Sequence, residues 1–295
     1  MHTLRRMFIV LLALSAFSAP AIAAKRQSVD LDYQVRFLPE SGEAAVTIRL
    51  EQSDAVISLL FDLGSKGYYS DFKGTGTLSE EGNTLLWKPG KGKAEGALSY
   101  RVKVDHPRAN DRFDARMTSD WALLRGDDLI PSAHLVQEDM FNLVARLQFE
   151  LPRVGKNTFR INNVSRKLDR PTGWIIAGKI ASRRDQLGDS NVSVAAPIGE
   201  GMQRMSVMTL LSFVWPHAAE AFQRQPSKLL IVGANDPMWR GGLSAPNSFF
   251  MHAARPLVSE NGTSSLVHEL VHVFTRIRDT DNSDWISEGI AEFYA

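Results

Sequence analysis

The chain has 295 residues, of which 44% are hydrophobic, and its 34 Lys and Arg against 33 Asp and Glu leave a formal net charge of +1. This near balance argues against nucleic acid or a charged membrane surface as a partner. The chain contains no Cys, which excludes disulfides, thiolate metal ligands and a cysteine nucleophile. A metal site in this protein must therefore use His and carboxylate ligands.

The first 23 residues have the pattern of a secretory signal peptide. Arg5 and Arg6 precede an uncharged apolar run over 7–17, and small residues follow up to Ala23. The apolar run has about 11 residues, whereas a membrane span needs about 20, so we expect no stable membrane anchor after cleavage at Ala23. The alternative is an uncleaved anchor. Export without any Cys is typical of a periplasmic or secreted bacterial protein.

Residues 24–183 are predicted to form an antiparallel β-sandwich domain. Apolar and polar residues alternate with a period of two in several runs, as in strands with one buried face. The apolar positions of these runs begin and end at Leu31–Phe37, Val46–Leu50, Leu98–Val104 and Leu143–Leu151.

Residues 184–295 are predicted to form a second domain. After Gly201, apolar residues recur at steps of three and four, which predicts a largely buried helix that Pro216 should kink or break. Strands are predicted next, at Lys228–Val232 and Asn247–His252, followed by two helices at about 263–278 and 283–295.

The first of these two helices carries a metal-binding pattern. Residues 268–272 read HELVH, an HExxH pattern in an apolar run with an expected helix cap at Thr263. Side chains four residues apart lie on one face of a helix, so His268 and His272 can bind one ion. Glu269 can then act on a water molecule at that ion without displacing a ligand.

The last predicted helix supplies a third ligand, which zinc requires together with an open fourth position. Its expected cap is Ser283, and it carries Glu288 and Glu292 one turn apart on the same face. Glu288 is the candidate ligand. Glu292 would then accept the other ring N–H of a ligand histidine and fix its tautomer.

These residues resemble the gluzincin zinc metallopeptidases of the aminopeptidase N and glycyl aminopeptidase type. In those families, HExxH is followed by a helix with a pattern such as WxxEGxAxF, matched here by Trp285, Glu288, Gly289, Ala291 and Phe293. The resemblance implies one zinc ion per chain, with His268, His272 and Glu288 as its ligands and Glu269 as the general base. It also implies an α+β fold, in which the β-sandwich is followed by a thermolysin-like catalytic domain.

Residues 241–248 resemble the GAMEN-like segment that borders the substrate cleft in these families. The resemblance implies that Gly241, Gly242, Leu243, Ser244 and Asn247 bind substrate. An edge strand here could pair with the backbone of a peptide. The Glu that holds the substrate amino group in aminopeptidases is replaced here by Ser244 or Ala245, which leaves exopeptidase and endopeptidase action open.

Two further departures concern the end of the chain. Fifteen residues separate His272 from Glu288, which is fewer than in aminopeptidase N relatives, so the connection between the two helices must be tighter. The sequence ends at Ala295, about two turns after Glu288. We therefore expect a catalytic domain that is incomplete at its C-terminus and lacks the helical domain of those families, so that no residue is assigned to stabilise the oxyanion.

The function predicted from the sequence is zinc-dependent peptide-bond hydrolysis, with a peptide or protein as the substrate and Glu269 as the general base. One alternative is a catalytically impaired relative that keeps the fold and binds peptides as a scaffold. Another is a zinc hydrolase that acts on a different substrate, such as an ester or an epoxide. The oligomeric state is not predicted.

Overall fold

A computed structural model describes residues 28–90, 95–137, 142–161, 170–277 and 284–295, and the predicted signal peptide lies outside these ranges. The strands are β1 Ser28–Leu38, β2 Glu43–Leu50, β3 Val56–Asp62, β4 Tyr69–Gly74, β5 Thr77–Glu81, β6 Thr84–Lys88, β7 Gly96–Lys103, β8 His106–Arg108, β9 Arg112–Met117, β10 Trp121–Arg125, β11 Ser132–Gln137, β12 Asn142–Leu151, β13 Gly155–Ile161, β14 Trp174–Gly178, β15 Ile180–Leu187, β16 Ser190–Pro197, β17 Lys228–Val232, β18 Gly242–Ala245 and β19 Ser248–Met251. The helices are α1 Gly126–Leu129, α2 Arg204–Phe222, α3 Ser265–Thr275 and α4 Asp284–Tyr294.

The strands β1 to β14 form the predicted β-sandwich. A six-stranded sheet has the order β13-β12-β1-β2-β7-β4, and two four-stranded sheets have the orders β14-β10-β9-β8 and β11-β3-β6-β5. Alternate residues of β1, β2 and β7 are buried in the core between the sheets, as the period of two predicts. The expected antiparallel arrangement is wrong at one described pair, because β1 runs parallel to β12.

The second part of the chain is built on a five-stranded sheet in the order β15-β16-β17-β19-β18. The pairs β16–β17 and β17–β19 are parallel, and β18 is an edge strand that pairs antiparallel with β19. Helices α2 and α3 pack on this sheet through a core of apolar side chains. The domain boundary expected at residue 183 falls inside β15, which belongs to this sheet.

Helix α2 is not broken at Pro216, and it is less buried than predicted. It continues through Pro216, and only Val207, Met208, Leu211 and Trp215 are buried. Pro216 is exposed, so water can bond the carbonyl left without an N–H partner, while the buried side chains hold the helix on the sheet. Among the described residues, no helix is both long enough and apolar enough to cross a bilayer.

The two parts of the chain meet along the segment that leads into β18. The N–H of Phe113 on β9 donates to the carbonyl of Pro237 at 3.0 Å, and the N–H of Trp239 donates back to the carbonyl of Phe113 at 2.9 Å. Trp174 on β14 donates through its ring N–H to the carbonyl of Leu243 at 2.8 Å. The sandwich therefore supports β18 and the segment before it through hydrogen bonds.

Candidate functional site

Helix α3 begins at a cap and has one apolar face. The Oγ of Ser264 accepts a hydrogen bond from the N–H of Val267 at 3.3 Å, so the cap is Ser264 and the expectation of Thr263 is wrong by one residue. The apolar face packs into the core below the sheet through Leu266, Leu270, Val273 and Phe274. The remaining face carries half-buried polar side chains toward the cleft beside β18.

His268 and His272 lie one turn apart on that polar face. Their Nε2 atoms are 3.2 Å apart. The four-residue spacing predicted that the two side chains share one face of a helix, and in the structure they do.

Helix α4 brings Glu288 to the same point. Its Oε2 lies 3.2 Å from Nε2 of His268, and its Oε1 lies 3.4 Å from Nε2 of His272. Its buried residues are Ser287 and Ala291, and the ring of Tyr294 near its end packs against Phe222 with the ring centroids 5.0 Å apart. The expected cap at Ser283 lies outside the described residues.

The distances among these three side chains fit a metal site. Ligand atoms in tetrahedral positions about 2.0–2.1 Å from a zinc ion are about 3.3 Å from one another. The observed separations of 3.2, 3.2 and 3.4 Å bracket that value. Two imidazoles and a carboxylate are also a donor set that zinc uses in catalytic sites. His268, His272 and Glu288 can therefore hold a divalent cation.

Glu292 lies beside this group on the next turn of α4. Its Oε2 is 3.6 Å from Nδ1 of His268, the ring nitrogen that does not face the other two ligands. This is the position from which a carboxylate can orient a ligand imidazole. Its role stays a prediction.

Glu269 is buried between α3 and β18. The backbone N–H of Ser244 donates a hydrogen bond to its carboxylate. Gly242 packs directly against the same side chain, since a Cβ added there would lie 2.6 Å from Cγ and 2.7 Å from Cδ of Glu269. Burial raises the pKa of Glu269 to about 8, and the negative charge of Glu288 is the second cause. A divalent cation held by the neighbouring ligands would oppose both effects.

The residues expected to bind substrate lie just before β18, along it and in the turn after it, and several already have hydrogen-bond partners. The carbonyl of Gly241 accepts the N–H of His252, the carbonyl of Leu243 accepts the ring N–H of Trp174, and Oδ1 of Asn247 accepts Arg276. Along an edge strand, the backbone N–H and C=O groups of successive residues point alternately to the neighbouring strand and to the open edge. Ser244 bonds to Glu269 on the open side, so Gly242 and Ser244 are the residues that can meet a peptide.

Sequence reasoning missed two residues near this group. Ser265 lies on the face of α3 that carries His268 and His272, and its Oγ accepts a hydrogen bond from Nε of Arg255 at 3.0 Å. The spacing of Ser265 from His268 could have indicated the serine, because residues three apart share a helix face. No local pattern indicates Arg255, whose place depends on the fold.

A comparison with protein-family models gives no match, and a comparison with curated protein sequences gives none either.

Solved structures do match. An aminopeptidase N family protein from Idiomarina loihiensis superposes with a TM-score of 0.56 at 13% identity, over 78% of this chain and 45% of that one. A mutant of an M1 zinc metallopeptidase from Deinococcus radiodurans, bound to the substrate Tyr-Ser-Ala, has a TM-score of 0.48 at 16% identity over 90% of this chain and 68% of that one.

The chain has the fold of the aminopeptidase N family protein, a β-sandwich followed by a thermolysin-like domain, and it spans less than half of that structure's length. The predicted α+β fold is confirmed, as is the resemblance to the aminopeptidase N type at the level of fold.

Proposed function

We propose that this protein is a zinc-dependent peptidase in which His268, His272 and Glu288 hold the ion and Glu269 is the general base. The observation that carries the proposal is the meeting of two imidazoles and one carboxylate at mutual distances of 3.2–3.4 Å, on two helices beside an open sheet edge. The fold shared with an aminopeptidase N family protein favours a peptide as the substrate.

A zinc ion bound there would polarise the carbonyl of the substrate and lower the pKa of a water molecule. The carboxylate of Glu269 accepts the proton of the attacking water and returns it to the leaving amine. The Ser244 N–H and the close contact with Gly242 fix the direction of that carboxylate. The backbone of β18 pairs with the peptide and sets the scissile bond beside the base.

Zinc content and peptide hydrolysis, measured together, test this proposal. Purified protein should bind one zinc ion per chain and hydrolyse members of a peptide library made with free and with blocked N-termini. A Glu269→Gln variant should keep its zinc, since the ligands are unchanged, and lose about a hundredfold to ten-thousandfold in kcat. A His268→Ala variant should lose both zinc and hydrolysis.

Three outcomes contradict parts of the proposal. Hydrolysis that continues unchanged in Glu269→Gln would exclude this residue as the base. Stoichiometric zinc without turnover of any peptide would favour a peptide-binding scaffold. Turnover restricted to ester or epoxide substrates would favour a zinc hydrolase of another class. The library also decides between exopeptidase and endopeptidase action, since only an aminopeptidase requires the free N-terminus.

A further inference from the structure

A pocket of about 420 Å³ opens next to the start of α3. Its wall includes the side chains of Arg240, His252, Arg255 and Ser265, and none of its described lining residues is acidic. The pocket therefore has a positive character, which a ligand with a negative charge would complement.

The two arginines in this wall, Arg240 and Arg255, differ in their ion-pair partners. The guanidinium of Arg240 is paired with the carboxylate of Asp236, to which its Nε donates at 3.0 Å. Arg255 has no carboxylate within 4.0 Å in the part of the chain that the structure describes, because its bonds go to neutral oxygens. Its Nε donates to Oγ of Ser265 at 3.0 Å, and its Nη1 donates to the carbonyl of Arg240 at 2.9 Å.

These two hydrogen bonds fix the guanidinium of Arg255 without neutralising it. Among the described residues, no acceptor binds its Nη2, and the side chain is exposed to the pocket. A planar guanidinium in a set orientation is the group that binds a carboxylate in proteins with good geometry. The guanidinium of Arg255 can therefore bind an anionic ligand, because no carboxylate among the described residues pairs with it.

Arg255 is close to the proposed reaction centre. Ser265, which holds it, precedes His268 by three residues on the same face of α3, a rise of about 4.5 Å along the helix. The carbonyl of Arg240, its other anchor, lies two residues before β18 begins at Gly242. One residue of an extended peptide covers about 3.3 Å, so a rise of this size corresponds to one or two residues of a peptide that pairs with β18.

We propose that Arg255 binds a carboxylate of the substrate, carried one or two residues from the scissile bond on the side where β18 begins. The inference rests on the proposed peptidase function and specifies its substrate class. The carboxylate can be the C-terminal group of a short peptide or an acidic side chain.

Binding to the zinc-loaded Glu269→Gln protein tests this inference without turnover. The probes are fluorescent tetrapeptides with Glu or Gln at each position in turn, each made with a free and with an amidated C-terminus. Peptides with a carboxylate at the right position should bind about tenfold more tightly than their neutral counterparts, as expected for a charge-assisted hydrogen bond. Loss of the preference on amidation identifies the C-terminal group, and loss on changing Glu to Gln identifies a side chain.

Three further substitutions assign the preference to Arg255. Arg255→Gln should abolish it, and Arg255→Lys should keep part of it, because the charge remains and the forked geometry is lost. Arg184→Gln, which changes an exposed arginine on β15, should leave it unchanged. In protein with Glu269 intact, Arg255→Gln should raise KM about tenfold for the preferred peptides and leave their kcat unchanged.

The inference is overturned if carboxylate and neutral peptides bind equally, or if Arg255→Gln keeps the preference. Its failure is separate from failure of the proposed function. A protein that hydrolyses peptides with no such preference retains the function and loses the inference. A protein that shows the preference in binding and hydrolyses no peptide retains the carboxylate site and loses the function.

Discussion

At the residue scale, the carboxyl group of Glu269 is held by contacts from a separate element. Ser244 bonds to it through a backbone N–H, and Gly242 leaves the space into which it fits. Neither contact involves the three side chains that are proposed to hold the metal. The position of the proposed base can therefore be disturbed without changing the ligands themselves.

A Gly242→Ala substitution should disturb the base in this way. The added methyl group would lie 2.6 Å from Cγ of Glu269, closer than atoms pack, so the buried carboxyl must move. We expect kcat for peptide hydrolysis to fall at least tenfold, because misplacement of a catalytic group by about 1 Å is costly. Zinc content, measured on the same preparation, should stay at one per chain.

Gly289→Ala is the matched control for this change. Gly289 lies within α4, and a Cβ there meets nothing within 4 Å. The same substitution should therefore leave hydrolysis unchanged and stabilise the helix by up to about 1 kcal/mol. Full activity in Gly242→Ala would show that the position of Glu269 does not depend on this contact.

At the element scale, α3 and α4 each present a pair of side chains four residues apart. His268 and His272 lie on α3, and Glu288 and Glu292 lie on α4. Glu288 faces both imidazoles through its two oxygens, whereas Glu292 approaches only the Nδ1 side of His268. The two glutamates are chemically identical but differ in what they contact.

Zinc affinity should separate these two glutamates. Glu288→Gln removes the proposed charged ligand and should weaken zinc binding more than a hundredfold, whereas Glu292→Gln removes only the proposed partner of a ligand and should weaken it about tenfold to a hundredfold. Titration with a competing chelator measures both. Glu220→Gln, an exposed change at the end of α2, is the control and should have no effect. Equal losses for the two variants would argue against the assignment of Glu288 as the ligand.

The elements also show where sequence reasoning succeeds and where it ends. The spacing of His268 and His272 is a local property of a helix, so the pattern alone predicts that they share a face. The pairing of Glu269 with Gly242 and Ser244 joins residues more than 20 positions apart through a packed sheet edge, and no period in the sequence encodes it. Pro216 shows the opposite case, because the local rule predicts a kink or a break there and α2 is not broken.

On the scale of the whole molecule, one carboxylate connects the sandwich to the second sheet. Asp236 accepts hydrogen bonds from Arg240, four residues further along the chain, and from Arg112 on β9. The bond from Arg240, followed by the bond from Arg112, lowers the pKa of Asp236 well below its usual range. The folded protein therefore favours the ionised form of this group.

The contribution of Asp236 to stability should disappear in acid. A carboxyl whose pKa is lowered by folding stabilises the protein above its unfolded value of about 3.9, and this stabilisation is lost as the pH falls through the lower folded value. Asp236→Asn should therefore lower the midpoint of thermal unfolding at pH 7. The difference from the unsubstituted protein should shrink steadily as the pH falls below about 4.

Asp120→Asn is the control for this experiment. Asp120 pairs with Lys179 at 3.0 Å on an exposed surface, and such pairs contribute little. Its substitution should change the midpoint only slightly at any pH. A difference between Asp236→Asn and the unsubstituted protein that stays constant down to pH 2 would mean that the effect does not come from the charge of Asp236.

The shallow attachment of α4 has a consequence for how the protein would respond to metal depletion. Only Ser287 and Ala291 of this helix are buried, while the side chains of Trp285 and Phe293 are 71% and 82% exposed. A helix with few buried side chains is held weakly by packing. An ion bound by residues of both helices would link α4 to α3. Ion binding and docking of α4 would then be linked. A bound ion would stabilise the docked helix, the docked helix would strengthen ion binding, and a chelator would loosen the helix.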